Sequence, residues 1–560
     1  MLRPTVPRLQ QRLGRAGNIR SLSYSSRLGD KMRARSGSLN VVLASSLFLV
    51  GSYVAAPSIR AKVGNETPSS SSPSFSTSAA YGIPRSGGGK HTISLLSPGQ
   101  VSSWLRENEE SYLVERGKGV LRYDVCQLAS NNPIEDDRSE RTIQVPLISG
   151  PGNDDRQSTD WMFWGIYDGH SGWTTSAKLR DSLINYVLNE LDKVYTRSSP
   201  NSPYRLIPSP ETIDAAIQQG FLNLDDEIVH KSVNRLLSNP NKTIATEMIA
   251  PALSGSCGLL AFYDSHSQKL RVAVTGDSRA VLGSRNQNGQ WTATALSTDQ
   301  TGSNSEEAHR VRSEHPGEEA TAIRNGRVLG QLEPTRAFGD ARYKWTRDVQ
   351  NKVSQAFFGR RTPNELKSPP YVTAKPEVTT TQVSPGKGDF LVMASDGLFE
   401  MLSNEEVVTL VAQWMEQKHP EYLNHSLPTP SKSSPGIFSR LFGSSGETQQ
   451  RSTTTVEDVS TNKEAQKQPL RRRGGYSPKF VVEDENVATH LIRNALGGAD
   501  REQVSMLVSI PSPLSRNHRD DLTVTVVFFG EDGEPNDSGS VKVNQIATKN
   551  NLRSNVRAKL

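Results

Sequence analysis

Residues 161–173 read WMFWGIYDGHSGW. Seven uncharged residues, four of them aromatic, fit a strand buried on both faces. Such a strand has no need to end in a carboxylate, a glycine and an imidazole in succession. Taken singly, Asp168-Gly169 is a turn signal and a lone His170 is a surface or core residue. Chemistry requires partners from elsewhere in the chain.

Similar acids recur. Glu135 and Asp136 lie in NNPIEDDRS, Asp277 in VAVTGDSRAVLG, Asp396 in FLVMASDGLFEML and Asp520 in RDDLTVTVVFF, each just before a strand or at a strand's exit. Burying so many carboxylates is costly unless cations match them. No single Lys or Arg serves them all, whereas hard divalent cations do, because Mg2+ and Mn2+ favour carboxylate, carbonyl and water oxygens. Glycine after aspartate, at Gly169 and Gly397, lets the backbone approach an ion.

Other chemistries lack their residues. Two cysteines, Cys126 and Cys257, make neither a disulfide framework nor a four-ligand zinc site. Neither is followed by an Arg six positions on, so a Cys-x5-Arg phosphatase loop is absent. The Gly87-Gly88-Gly89-Lys90 stretch does not read as a phosphate loop, since His91 holds the Ser/Thr place, the first Gly is missing and no strand is expected before it.

The formal charge of +6 is misleading. Residues 1–35 carry eight Arg and one Lys against Asp30, a net +8, which leaves the rest of the chain at −2. Nucleic acid is therefore not an expected partner. Residues 1–38 have the Arg-rich, acid-poor composition of a mitochondrial presequence. Residues 39–56 are an uncharged apolar run of 18, long enough as a helix for ~27 Å, and read as a membrane-spanning or stop-transfer segment. A secretory signal competes with that reading, but its basic leader would be unusually long. Residues 57–92 read as a disordered linker, 93–531 as the ordered domain, and 424–480 as a polar, disordered insertion within it.

The tail, 532–560, reads as flexible and ends Ala558-Lys559-Leu560, a variant of the peroxisomal Ser-Lys-Leu signal. Inner-membrane or intermembrane-space residence, alternatively the matrix, with a second address in peroxisomes through their import receptor, is the expectation. Order begins at Ser97-Pro98, an N-cap with Pro at the first helical position, and Val101, Trp104 and Leu105 then share a face. Strand-like runs at 161–167, 258–263, 270–274, 279–282, 291–296, 389–394 and 522–529 alternate with helical stretches near 175–191, 405–417 and 486–496. Asn288-Gly289 marks a hairpin. The pattern predicts a layered α/β fold with antiparallel sheets.

Taken in order, GIYDGHSGW, SGSCGLLAFYD, VTGDSRAVLG, LEPTRAFGD, ASDGLFE and RDDLTVTVV resemble the signature blocks of the metal-dependent protein phosphatases of type 2C. LSPGQVSSWLRENEESY, NNPIEDDRS, QNGQWTATALS and RAFGDARYKW are similar to the pyruvate dehydrogenase phosphatase branch. The resemblance implies two antiparallel sheets forming a central sandwich flanked by helices. It implies two Mg2+ or Mn2+ ions, bridged by Asp168, with the Gly169 carbonyl on one and Asp396 and Asp520 on the first. Glu135 and Asp136 would hold waters, Asp277 with Asp396 would bind a weaker third ion, and His170 would protonate the departing serine or threonine oxygen. Substrates would be phosphoproteins, pyruvate dehydrogenase among them.

Three departures stand out. The family's phosphate-gripping arginine, four residues before the glutamate, is Asn131; its Asp-His is Asp299-Gln300; and Asp521 replaces an Asn beside Asp520. The alternative function is a catalytically weak pseudophosphatase that serves as a phosphoprotein-binding scaffold.

Overall fold

The computed structural model describes residues 80–84, 90–146, 158–195, 208–426, 456–461, 466, 469, 479–531 and 533–549. All belong to the compact unit that begins at Ser76. The expected presequence, the apolar 39–56 run and the last eleven residues lie outside them. No described helix is long and apolar enough to cross a membrane.

Two sheets face each other. One runs in the order Glu377–Gln382, Lys269–Thr275, Gly258–Asp264, Ser158–Tyr167, Asp137–Pro146, antiparallel throughout. The other has the order Glu457–Asp458, Trp291–Ala295, Arg279–Arg285, Phe390–Ala394, Leu522–Phe529, Val120–Leu128, Glu110–Val114, Val541–Val543. Only its first pair is parallel.

The strand Ser158–Tyr167 shows why this sequence folds so. Its side chains alternate between two apolar environments with the period of two that a pleated strand imposes. Met162, Trp164 and Ile166 enter the layer between the sheets, with Leu259, Ala261, Val272, Met393 and Val527. Trp161, Phe163 and Tyr167 point to the opposite face, under the helix Thr174–Tyr195 and the helix Pro210–Asp226, against Leu183, Val187, Ile217 and Phe221. Phe163 stacks on Phe262 with ring centroids 4.7 Å apart. Truncating either ring to Ala would cost ~3–5 kcal/mol through lost burial and the cavity left behind. On the other side, the helices Asn404–Lys418 and Val487–Leu496 cover the larger sheet through Val407, Val411, Trp414, Leu491 and Ala495.

Four expectations need correcting. Ser97 does cap the helix Pro98–Leu105 with a full capping box, and Val101 and Leu105 are buried, but Trp104 stands 51 % exposed. Part of the expected linker forms a hairpin, Ala80–Pro84 with Lys90–Ser94. Inside the expected disordered insertion, Glu457 and Asp458 pair with Thr292 and Ala293, and Ser460 Oγ accepts a bond from Ala295 N at 2.7 Å. An edge strand's free backbone groups capture this segment despite its polar composition. Within the tail expected to be flexible, Val541–Val543 pairs with Tyr112–Val114, and Thr548 Oγ1 accepts a bond from Ser111 N at 2.9 Å.

Candidate active site

Strand ends converge. Asp168 follows the strand Ser158–Tyr167, and its carbonyl accepts a bond from Cys257 N at 2.8 Å, which fixes its backbone. Asp277 sits in the turn between Lys269–Thr275 and Arg279–Arg285, beside Gly276 at φ +107°. Gln300 braces that turn, its side-chain oxygen accepting from Gly276 N at 2.8 Å. Asp396 opens the short helix Asp396–Phe399 directly after Phe390–Ala394 and Ser395, and its N–H lies 3.5 Å from Asp168 Oδ2. Asp168, Asp277 and Asp396 each present an oxygen within 4.8 Å of the others.

Asp136 and Asp520 join this cluster through their fields. Burial, followed by the charges of Asp136, Asp396, Asp520 and Asp277, pushes the Asp168 carboxyl well above the usual range. Burial and then Asp521 and Asp520 do the same to Asp136, although Thr523 Oγ1 donates to it at 2.7 Å. Asp520 is pushed up to about 8 by burial and the adjacent Asp396, against the pull of Arg516. Crowded like charges at low dielectric are stable only when neutralised. The donors are all oxygen, the set a hard divalent cation requires. These residues therefore fit Mg2+ or Mn2+.

Glu135 is less central. Its carboxyl is raised by burial and by Asp521, while its backbone carbonyl accepts from Ser176 Oγ. That carbonyl leaves no room for a side chain at residue 169, where a Cβ would lie 2.1 Å from it. Gly169 is thus required by close approach. The same holds at Gly397, where a Cβ would meet Asp521 O at 2.4 Å.

Asp520 and the adjacent Asp521 have different surroundings. Asp521 Oδ1 accepts from Ser130 N at 2.5 Å and Asn131 N at 2.9 Å, and Oδ2 from Glu135 N at 2.9 Å and Asn131 Nδ2 at 3.0 Å. It ties down the loop that carries Glu135 and Asp136. Asp520 faces the acid cluster.

His170 sits beside the cluster on a three-stranded patch, Phe338–Gly339, Gly255–Ser256 and Gly169–His170. Its Nε2 lies 2.6 Å from Asp340 Oδ2. Burial opposes a charged ring, but Asp340 outweighs it and raises the His170 pKa. The pair fits only because residue 255 is glycine: a Cβ there would lie 2.1 Å from His170 Nε2 and 2.4 Å from Asp340 Oδ2. Asp340 adopts the left-handed conformation (φ 49°, ψ 38°), which is uncommon for a residue with a side chain and is held here by the fold around it. The block RAFGDARYKW contains Asp340, but nothing in it links the residue to a histidine 170 positions earlier.

Residues 136–434 match the family described as protein phosphatase 2C. The chain is 44% identical over 475 residues to the mitochondrial pyruvate dehydrogenase (acetyl-transferring) phosphatase 1 of Saccharomyces cerevisiae, covering 82% of this chain and 77% of that one. It is 40% identical over 432 residues to a protein phosphatase 2C homolog of Schizosaccharomyces pombe, covering 77% and 85%. Against the mitochondrial phosphatase 1 of Bos taurus that bears the same pyruvate dehydrogenase name, identity is 30% over 496 residues, covering 78% and 83%.

Proposed function

Because this chain belongs to the protein phosphatase 2C family of serine/threonine phosphatases, in the pyruvate dehydrogenase phosphatase branch, we propose that it hydrolyses phosphoserine and phosphothreonine through a two-metal site built on Asp168. The observation that carries this reading is the convergence of Asp136, Asp168, Asp277, Asp396 and Asp520 at strand ends, where Asp136, Asp168 and Asp520 are raised by burial and then by their neighbouring carboxylates. Asp168, Asp396, Asp520 and the Gly169 carbonyl would hold the pair of ions. Glu135 and Asp136 would act through water, and Asp277 with Asp396 would hold a weaker third ion. When bound, Mg2+ or Mn2+ supplies a polarised water and neutralises the charge that develops on a phosphate monoester. His170 would keep a proton at Nδ1 for the departing serine or threonine oxygen, while Asp340 holds the ring through Nε2 and favours its protonated form.

The test is Mn2+- or Mg2+-dependent hydrolysis of a phosphothreonine peptide. Wild-type protein as silent as Asp168→Asn would leave the chain a phosphoprotein-binding scaffold.

The names of the relatives favour pyruvate dehydrogenase as substrate and mitochondria as address. The Arg-rich residues 1–38 support the same address, with the 39–56 run holding the enzyme at the inner membrane and Ala558-Lys559-Leu560 directing a fraction to peroxisomes. Imaging of an internally tagged chain checks both signals. Deleting 558–560 should abolish the peroxisomal fraction alone, and an unchanged distribution removes that half of the proposal.

A further inference from the structure

Family members grip phosphate with an arginine four residues before the glutamate, and Asn131 occupies that place here. Asn131 cannot substitute for it. Its backbone N–H and its side-chain amide both donate to Asp521, at 2.9 and 3.0 Å, so the residue is committed to its own loop. A neutral amide also lacks the charge a phosphoryl dianion calls for.

We propose that Arg516 is the phosphate-binding residue of this site, an assignment that rests on the phosphatase reading above. Arg516 lies in the short turn Leu514–Asn517, at the edge of the acid cluster, with Nη1 in an ion pair with Asp520 Oδ2. The turn is bolted in place next to the loop that carries Glu135. Ser515 is buried, its Oγ donates to Ser130 O at 2.5 Å, and its N–H donates to Pro511 O at 3.1 Å. The Arg516 side chain is by contrast 48 % exposed. A rigid base with a solvent-facing guanidinium is the arrangement a ligand-gripping arginine needs.

Asp520 provides the second part of the inference. Its carboxylate cannot serve both a divalent cation and a guanidinium on the same oxygen. A cation on Asp520 would compete with Arg516 for that carboxylate and would leave the N–H fork with less of its negative partner. A phosphoryl group held over the same carboxylates brings the negative charge the fork has lost. The planar fork matches two phosphoryl oxygens, which a lysine's point charge does not. The charge of Arg516 reaches Asp520, Asp396 and Asp168, so it already acts over the place where phosphate would sit.

The experiment compares wild-type protein with Arg516→Ala and Arg516→Lys in two measurements. One is inhibition by inorganic phosphate together with KM and kcat on a phosphopeptide; the other is Mn2+ binding by calorimetry. Loss of a charge-assisted bond should raise both the phosphate inhibition constant and KM by about tenfold or more, with kcat changed by less than about threefold and lysine giving a partial rescue. Mn2+ should bind Arg516→Ala as tightly as wild type or tighter, because a competitor for Asp520 is gone. A phosphate inhibition constant within about twofold of wild type overturns the assignment, as does Mn2+ affinity that weakens in parallel. Wild-type protein without metal-dependent activity overturns the phosphatase reading and this one with it, whereas an active wild type with an unaltered Arg516→Ala overturns this one alone.

Discussion

Two buried carboxylate sites in this molecule have opposite electrostatics. Glu307, on the helix Ser305–Glu314, is buried, and burial works against its charge. Hydrogen bonds from Arg336 at 2.5 Å and Arg310 at 2.7 Å nevertheless hold its pKa down at about 2, and Thr335 Oγ1 adds a third donor at 2.6 Å. Asp136 is also buried and Asp168 and Asp520 are half-buried, but their charged neighbours are mostly other carboxylates and all three are raised. Glu307 is matched by cations the chain itself supplies, and its job is to join the helix to the segment around Arg336. The aspartate cluster is under-matched within the chain, and its missing charge must come from solution. Burial alone therefore does not mark a functional acid; burial among like charges at strand ends does.

The contrast can be tested from its strong end downward. Asp168→Asn should reduce turnover by more than ~10³-fold, since the proposed metal site would lose a carboxylate, while metal-free thermal stability stays level or rises because one repelling charge is gone. Retention of a tenth of wild-type activity, or a fall in metal-free Tm, would break the distinction between the sites. His170→Gln should slow phosphopeptide hydrolysis by ~10²–10⁴-fold yet affect p-nitrophenyl phosphate far less, because that leaving group needs no proton. Equal losses on both substrates would make His170 a structural residue.

Glu307→Gln should behave in the reverse way, destabilising the fold by ~3–5 kcal/mol because Arg336 and Arg310 lose their buried carboxylate and Arg336 keeps only the exposed Glu377, with little change in kcat once folded. Its pH dependence has a definite sign. The folded pKa of about 2 lies below the ordinary 4.5, so this stabilisation is complete above about 4.5 and is lost as pH falls toward 2. Denaturant midpoints between pH 5 and 2 should therefore fall more steeply for wild type than for Glu307→Gln; parallel curves would remove the assignment. Asp340→Asn is expected to have the smallest effect, about 10-fold on phosphopeptide turnover, with phosphopeptide selectivity over p-nitrophenyl phosphate reduced in the same direction as in His170→Gln. An unchanged selectivity would leave Asp340 without a role in proton transfer.

Much of this was readable from residue order. The run 161–167 signals a strand buried on both faces because its apolar residues are continuous, and the recurrence of acid at strand ends marks Asp168, Asp277, Asp396 and Asp520. Local patterns suffice there because strand burial and the Asp-Gly turn are both short-range signals. Capping at Ser97 and the hairpin at Asn288-Gly289 are legible for the same reason.

The sequence by itself determined the family, the layered α/β class and the acidic residues that could hold a cation, because each is written in contiguous blocks. Tertiary structure alone decided which acids meet. Asp340 reaches His170 across 170 residues only because Gly255 leaves space between their strands. Asp521 is distinguished from Asp520 only by the loop 130–135 folding onto its carboxylate. The polar segment at Glu457–Asp458 and the tail at Val541–Val543 look unstructured in composition and are ordered because each meets an open sheet edge. Their hydrogen bonds come from partner backbones, and backbone pairing leaves little trace in side-chain identity.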